Sequence, residues 1–190
     1  MKEIRQMNLG ELAAHVCTHL EDRGIRVVLS GGACVAIYAS DRYVSRDLDF
    51  IDRLHTTRRQ LKQALAEIGF AEENRYFTHP DMEFFLEFPS GPLAVGNEPA
   101  AVIEELHFET GVLKLLSPKD CVKDRLAAFF HWNDRQCLQQ AVWVAQERDV
   151  DWNEIERWSQ QEREIQKFEV FRKKFDAERK SPEARERNSS

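Results

Sequence analysis

The sequence predicts an α/β (α+β) fold, a sheet flanked by helices with a helical region at the C-terminal side, and three observations carry that expectation. Val27-Val28-Leu29 is a short β-branched and aliphatic run that stops at Gly31-Gly32 and gives way to an apolar helical stretch, Ala33 to Ala39. A second run, Asp47 to Asp52, alternates acids with Leu48 and Phe50, the period of a strand. From Ser117 onward the apolar residues recur at helical spacing only.

The elements follow in order. Leu9, Leu12, Ala13, Val16 and Leu20 share one helical face, and the helix ends near Asp22-Arg23-Gly24. After the two strands, Thr56 or Thr57 caps a helix carrying Leu61, Leu65 and Ile68, with Gly69 as its stop. Arg75 to Thr78 and Met82 to Phe88 read as strands, the second with Met82, Phe84, Leu86 and Phe88 on one face and Glu83, Phe85 and Glu87 on the other. Leu106 to Phe108 and Val112 to Leu116 flank Glu109-Thr110-Gly111 as a hairpin. Ser117-Pro118 opens a helix running to about His131, since serine caps and proline suits the first helical position. Asn133 or Asp134 begins another, with Leu138, Ala141, Val142 and Ala145 buried, and Asp151 to Glu154 opens a third, with Ile155, Trp158, Ile165, Phe168, Phe171 and Phe175 as contacts. The expected organisation is a core over 1–116, a helical region packed on it over 117–177, and a disordered, charge-rich tail over 178–190.

Composition narrows the function classes. A net charge of -6 argues against a chain that coats nucleic acid by bulk electrostatics, while leaving room for a local basic patch. Cys17, Cys34, Cys121 and Cys137 are far apart, mostly in apolar runs and without a C-x-x-C pair, which fits a reducing compartment. No apolar stretch approaches a membrane span and the first residues lack a signal-type apolar region, so a cytoplasmic protein is expected. The Walker and Rossmann glycine spacings are missing from the sequence, which disfavours a P-loop enzyme or a dinucleotide dehydrogenase.

The chemistry concentrates in residues 27 to 52. Asp47 and Asp49, two apart on a strand, point the same way with Cα atoms roughly 7 Å apart, a geometry that suits a divalent cation. Asp52 follows at the strand's end, and three acids expected on one face of so short a strand repel unless water or a cation relieves them. Gly31-Gly32 lets backbone N–H groups at a helix start approach an anion, where the helix dipole also favours negative charge. Taken singly, a Gly-Gly turn and an acidic strand are commonplace. Their joint occurrence with Arg42 and Ser45 favours a phosphate site beside a metal site.

The segments Gly31-Gly32 and Arg42-x-x-Ser45-x-Asp47-x-Asp49-Phe50 resemble the signature of the DNA polymerase β-type nucleotidyltransferase superfamily, in its bacterial minimal and AbiEii-toxin-like branches. Leu115-Leu116-Ser-Pro-Lys-Asp-Cys-Val-Lys-Asp-Arg125-Leu-Ala-Ala is similar to the helix after the core in the AbiEii branch, so the resemblance spans roughly residues 25 to 145. It implies a nucleotidyltransferase fold with a mixed sheet. It further implies that Gly31 and Gly32 hold a triphosphate with Ser30 or Ser45 assisting, that Asp47 and Asp49 coordinate magnesium, and that Arg42 braces the motif loop or meets phosphate. Arg125 stands where relatives carry a cationic phosphate ligand, usually lysine, and the planar guanidinium changes that geometry. From its own surroundings, beside Val122 and Leu126, Arg125 reads equally as a snorkelling side chain.

For the superfamily's third carboxylate Glu87 is the choice and Glu83 the second. With three carboxylates two Mg2+ ions could serve catalysis; with Asp47 and Asp49 alone, nucleotide binding is the safer expectation. The implied activity is magnesium-dependent transfer of a nucleoside monophosphate from an NTP to a hydroxyl of tRNA or protein, with a cognate toxin or antitoxin protein as a further partner. Two rivals remain: an inactive regulatory or antitoxin-like binding module on the same fold, and a structural subunit in which the glycines are only a turn.

Overall fold

The computed structural model describes residues 2–54, 56–100 and 102–180. A 3-10 turn at Ile4–Gln6 leads into α1 (Leu9–Glu21), where Asn8 and Glu11 form a reciprocal capping box and Leu12, Ala13, Val16 and Leu20 are buried. Then come β1 (Val27–Ser30), α2 (Gly31–Tyr38) and β2 (Asp47–Asp52). Thr57 caps α3 (Arg58–Ala66), and Gly69 turns the chain after it with φ 84. Three short strands follow, β3 (Ala71–Glu73), β4 (Tyr76–Thr78) and β5 (Phe85–Glu87). A small hairpin, β6 (Ala94–Val95) and β7 (Glu98–Pro99), precedes the long hairpin of β8 (Ile103–Phe108) and β9 (Gly111–Leu116). The chain continues as α4 (Pro118–Trp132), α5 (Arg135–Glu147), α6 (Trp152–Gln161) and α7 (Ile165–Arg179).

Seven strands form one mixed sheet in the order β3-β4-β5-β2-β1-β9-β8. β2 is antiparallel to β1 and parallel to β5, while β1 is parallel to β9. β2 therefore sits inside the sheet, between the Gly31-Gly32 turn and the strand that carries Glu87. α1 packs on β9, β8 and β1, and α2 lies against β2 and β1 while also touching α4 and α5. The helical region thus joins the core through α2. Leu29, Leu48, Phe50 and Phe77 are fully buried in the sheet layer, and Trp158, Phe168 and Phe171 in the helical one. No described helix is long and apolar enough to cross a membrane.

Several boundaries differ from expectation for identifiable reasons. α2 opens at Gly31 instead of Ala33. β5 is limited to Phe85–Glu87 because the preceding residues turn, with Met82 N–H donating to His79 C=O at 3.2 Å. β4 begins at Tyr76 instead of Arg75, and β3, β6 and β7 are additions. The single helix expected after Asp151 is broken between Gln161 and Ile165, where Arg163 adopts φ 62. α7 reaches Arg179, beyond the expected end at 177; residues 181–190 of the expected tail lie outside the described residues. His19 has its Nε2 2.7 Å from the Ala64 carbonyl and ties α1 to α3.

Candidate functional site

Strand register assembles the site. Asp49 is the Cα partner of Ser30 on one side and of Glu87 on the other, and Asp47 partners Phe85. Cross-strand partners share a sheet face, so Ser30, Asp49 and Glu87 form a row with Asp47 two residues along. Asp52, expected on the face of Asp47 and Asp49, is instead sent to the opposite one, because an offset of three residues from Asp49 reverses the side-chain alternation. There its carboxylate accepts from the Leu54 N–H at 3.0 Å and from the Thr56 N–H, so it shapes the following turn instead of adding to the acidic row.

The two glycines are required by close approach. Gly31 has φ 66, and a Cβ there would overlap the Asp49 carboxylate. A Cβ at Gly32 would lie 3.3 Å from Ser45 Oγ and 3.2 Å from Tyr43 Oη. The start of α2 is thereby pressed against Asp49, the Tyr43 ring and the Ser45 hydroxyl. Ser30 supplies no side-chain cap to α2, because its hydroxyl donates to the Asp49 carbonyl at 3.2 Å. A helix start without a side-chain cap keeps N–H groups for an anion.

Ser45, only 2% exposed, donates its hydroxyl proton to Asp47 Oδ1 at 2.6 Å and fixes that carboxylate's orientation. Asp49 has no comparable donor among the described residues. Burial, then the charges of Asp47 and Glu87, push its carboxyl up to about 6, with Arg125 opposing and Asp124 adding to the shift. Among the described residues Asp49 therefore stands in the row without a direct ion pair to offset its neighbours' negative charge.

Arg125, on α4, acts on Asp49 from nearby while its guanidinium is held by Asp124, with Nη2 2.5 Å and Nε 3.0 Å from Oδ2. Burial alone would lower its pKa, but the charge and hydrogen bond of Asp124 raise it overall. Arg42 is directed elsewhere. Its Nε lies 3.0 Å from Glu147 Oε1 and its Nη1 2.9 Å from Gln146 Oε1, which ties the loop between α2 and β2 to the end of α5. Glu87, beside Asp49 in register, faces Arg75 Nε at 3.4 Å. Glu83 is exposed and 3.7 Å from Arg46. Arg75 escaped the sequence reading, since an arginine before a short strand has no distinguishing pattern; only the antiparallel pairing of Tyr76 with Glu87 brings it there.

Among the described residues, no three His, Cys, Asp or Glu side chains are gathered closely enough to hold a metal ion. Asp47, Asp49 and Glu87 share a face without converging. The donor chemistry nonetheless fits a hard divalent cation: Asp47 and Asp49 offer only oxygens, and the raised Asp49 pKa marks an unbalanced negative site.

The class these features define is an α/β fold of nucleotidyltransferase type. Over 72% of this chain and 74% of its own, the crystal structure of an antigenic nucleotidyltransferase-like protein from Paracoccidioides brasiliensis is similar at a TM-score of 0.54 and 16% identity. The solution structure of the antibiotic-resistance factor ANT(2'')-Ia aligns over 95% of this chain and 97% of its own at a TM-score of 0.46 and 12% identity. At such identity the likeness to the first concerns the fold. No family model and no curated protein matches the sequence.

Proposed function

We propose that this chain is a magnesium-dependent nucleotidyltransferase that moves a nucleoside monophosphate from an NTP to a hydroxyl of tRNA or protein. The observation that supports it best is the contact of Gly31 with Asp49: a helix start that can bind phosphate is built directly against a carboxylate with unbalanced charge. Gly31 and Gly32 bind triphosphate oxygens through backbone N–H groups, with Ser30 and Ser45 at the edge. Asp47 and Asp49 hold magnesium, which when bound supplies neutralisation of the phosphate charge. Arg125 adds a fixed positive charge behind Asp49. The acceptor hydroxyl oxygen forms a bond to the α-phosphorus, the bond to the β-phosphate oxygen breaks, and pyrophosphate departs. Glu87 takes the hydroxyl proton, which requires its side chain to leave Arg75. A place in the AbiEii-like branch, a cytoplasmic setting and a toxin or antitoxin partner belong to the same reading.

Two observations favour a second reading. The Glu87–Arg75 ion pair and the unconverged carboxylates suit a binding module that holds nucleotide without turnover. Calorimetric titration with each NTP and magnesium, beside a pyrophosphate-release assay containing total tRNA and cell extract, separates the two. Binding with release supports the enzyme, and binding without release supports the module. A wild-type protein that binds no NTP, or an Asp47→Asn/Asp49→Asn variant that binds as well as wild type, contradicts both.

A further inference from the structure

Trp132 ends α4 with 78% of its surface in solvent. The other three tryptophans, Trp143, Trp152 and Trp158, are half-buried or buried. A single exposed apolar side chain is ordinary, but an indole that also borders a cavity has a face free to stack on a ring. It stands on the rim of a cavity of about 450 Å³ whose lining includes Arg125 and Ala128 of α4 and the Gly96-Asn97 turn of the small hairpin.

The cavity wall is rigid. Glu162, its side chain 2% exposed, accepts from Asn97 N–H at 2.9 Å and from the Asn97 amide at 3.1 Å, and lies 3.3 Å from His131 Nε2. That buried carboxylate fastens the turn to the helices. His131 stacks edge-on against Trp132, with ring centroids 6.0 Å apart. The indole is therefore restrained on one side and open on the other.

Two of the cavity's lining residues, Asp124 and Arg125, also lie near enough to Asp49 to act on its charge, so α4 borders both the cavity and the proposed cleft. Arg125 and Trp132 are seven residues apart on α4, two turns, so they lie on nearly the same face about 10.5 Å from each other. Ala128 sits between them and leaves the stripe concave. Arg125, whose guanidinium is shared with Asp124, stands at one end and an aromatic plane at the other, separated by a small residue, which matches a nucleotide's own division into phosphate and base.

We infer that Trp132 is a stacking platform for a nucleobase, with the cavity between it and Arg125 receiving the rest of that nucleotide. This rests on the nucleotidyltransferase reading. The base belongs either to the donor NTP or to the acceptor RNA, whose ring chemistry is the same.

The test titrates wild type, Trp132→Ala and Trp132→Phe, in magnesium, with the four NTPs, with inorganic tripolyphosphate and with a single-stranded RNA lacking a triphosphate. Trp132→Ala is expected to weaken an NTP or the RNA by about 5- to 100-fold, the effect of losing one base–aromatic stack, while Trp132→Phe recovers most of it. Tripolyphosphate, which has no ring, should bind all three proteins alike. Loss for NTP assigns the platform to the donor base, and loss for RNA alone assigns it to the acceptor. Trp132→Ala binding every probe like wild type overturns the inference and leaves the nucleotide site standing. Parallel loss of tripolyphosphate also overturns it, as damage to the fold. A wild-type protein that binds none of the probes overturns both readings.

Discussion

Replacing Asp49 with asparagine should stabilise the metal-free protein at neutral pH. The Asp49 carboxyl is pushed from 3.8 to about 6 by burial and by Asp47 and Glu87. Its folded-state pKa exceeds the unfolded value, so the native state holds the proton more tightly and loses stability as pH rises from 3.8 through 6. About two pKa units at 1.36 kcal/mol each give a cost near 3 kcal/mol, which residual solvent contact reduces to about 2–3 kcal/mol. Asparagine keeps the shape of the protonated acid and removes that cost. Urea unfolding of both proteins in a chelator should show the variant about 2–3 kcal/mol more stable at pH 8, the gap shrinking to about 0.5 kcal/mol at pH 4. Equal stability at pH 8, or a gap independent of pH, would refute the electrostatic account of the site. Magnesium should narrow the gap by stabilising wild type alone.

Other consequences can be measured with the same protein. Gly31→Ala meets a left-handed φ and the Asp49 carboxylate together, and should cost about 1–3 kcal/mol in urea unfolding and abolish NTP binding by calorimetry. Arg75→Ala removes a surface ion pair, so urea unfolding should be little changed while the freed charge of Glu87 beside Asp49 tightens magnesium binding; unchanged magnesium affinity counts against Glu87 as the third carboxylate of the site. Lys123, 3% exposed, is paired with Glu154 at 2.8 Å and Glu98 at 3.7 Å, and Lys123→Ala should destabilise by about 2 kcal/mol, less than a fully buried pair because both acids keep solvent contact. Hydrogen bonds from Arg157 and then Lys123 hold Glu154 down at about 2, and Arg157 likewise lowers Glu98. Their contribution is present above pH 4.5 and lost as pH falls toward 2, so acid unfolding followed by circular dichroism should be less steep in Arg157→Ala.

The window from Val27 to Asp52 was legible because local rules decide it: a β-branched run, a glycine pair and period-two alternation need no distant partner. Thr57 and Ser117 announced helix starts for the same reason. β3 reads Ala-Glu-Glu with no alternation, and becomes a strand only because β4 lies beside it. The break at Arg163 has no glycine or proline to mark it. Its cause is tertiary, since Glu162 turns inward to bind Asn97 and approach His131, and the helix cannot continue through that position in register. The candidate site divides similarly. Asp47, Asp49, Gly31, Gly32 and Ser45 were legible as a motif, and the structure brings them together. The engagement of Arg42 with Glu147, and of Glu87 with Arg75, depends on residues distant in sequence or on strand pairing, which spacing alone does not reveal.

The central claim is transfer through Asp47 and Asp49, and α-labelled NTP tests it most directly. Wild type and Asp47→Ala/Asp49→Ala are each incubated with the labelled NTPs, magnesium, total tRNA and cell extract, and label retained on RNA or protein is counted. The account predicts label from wild type and none above background from the variant. Equal labelling by the two proteins, or none by wild type with any NTP, would contradict it.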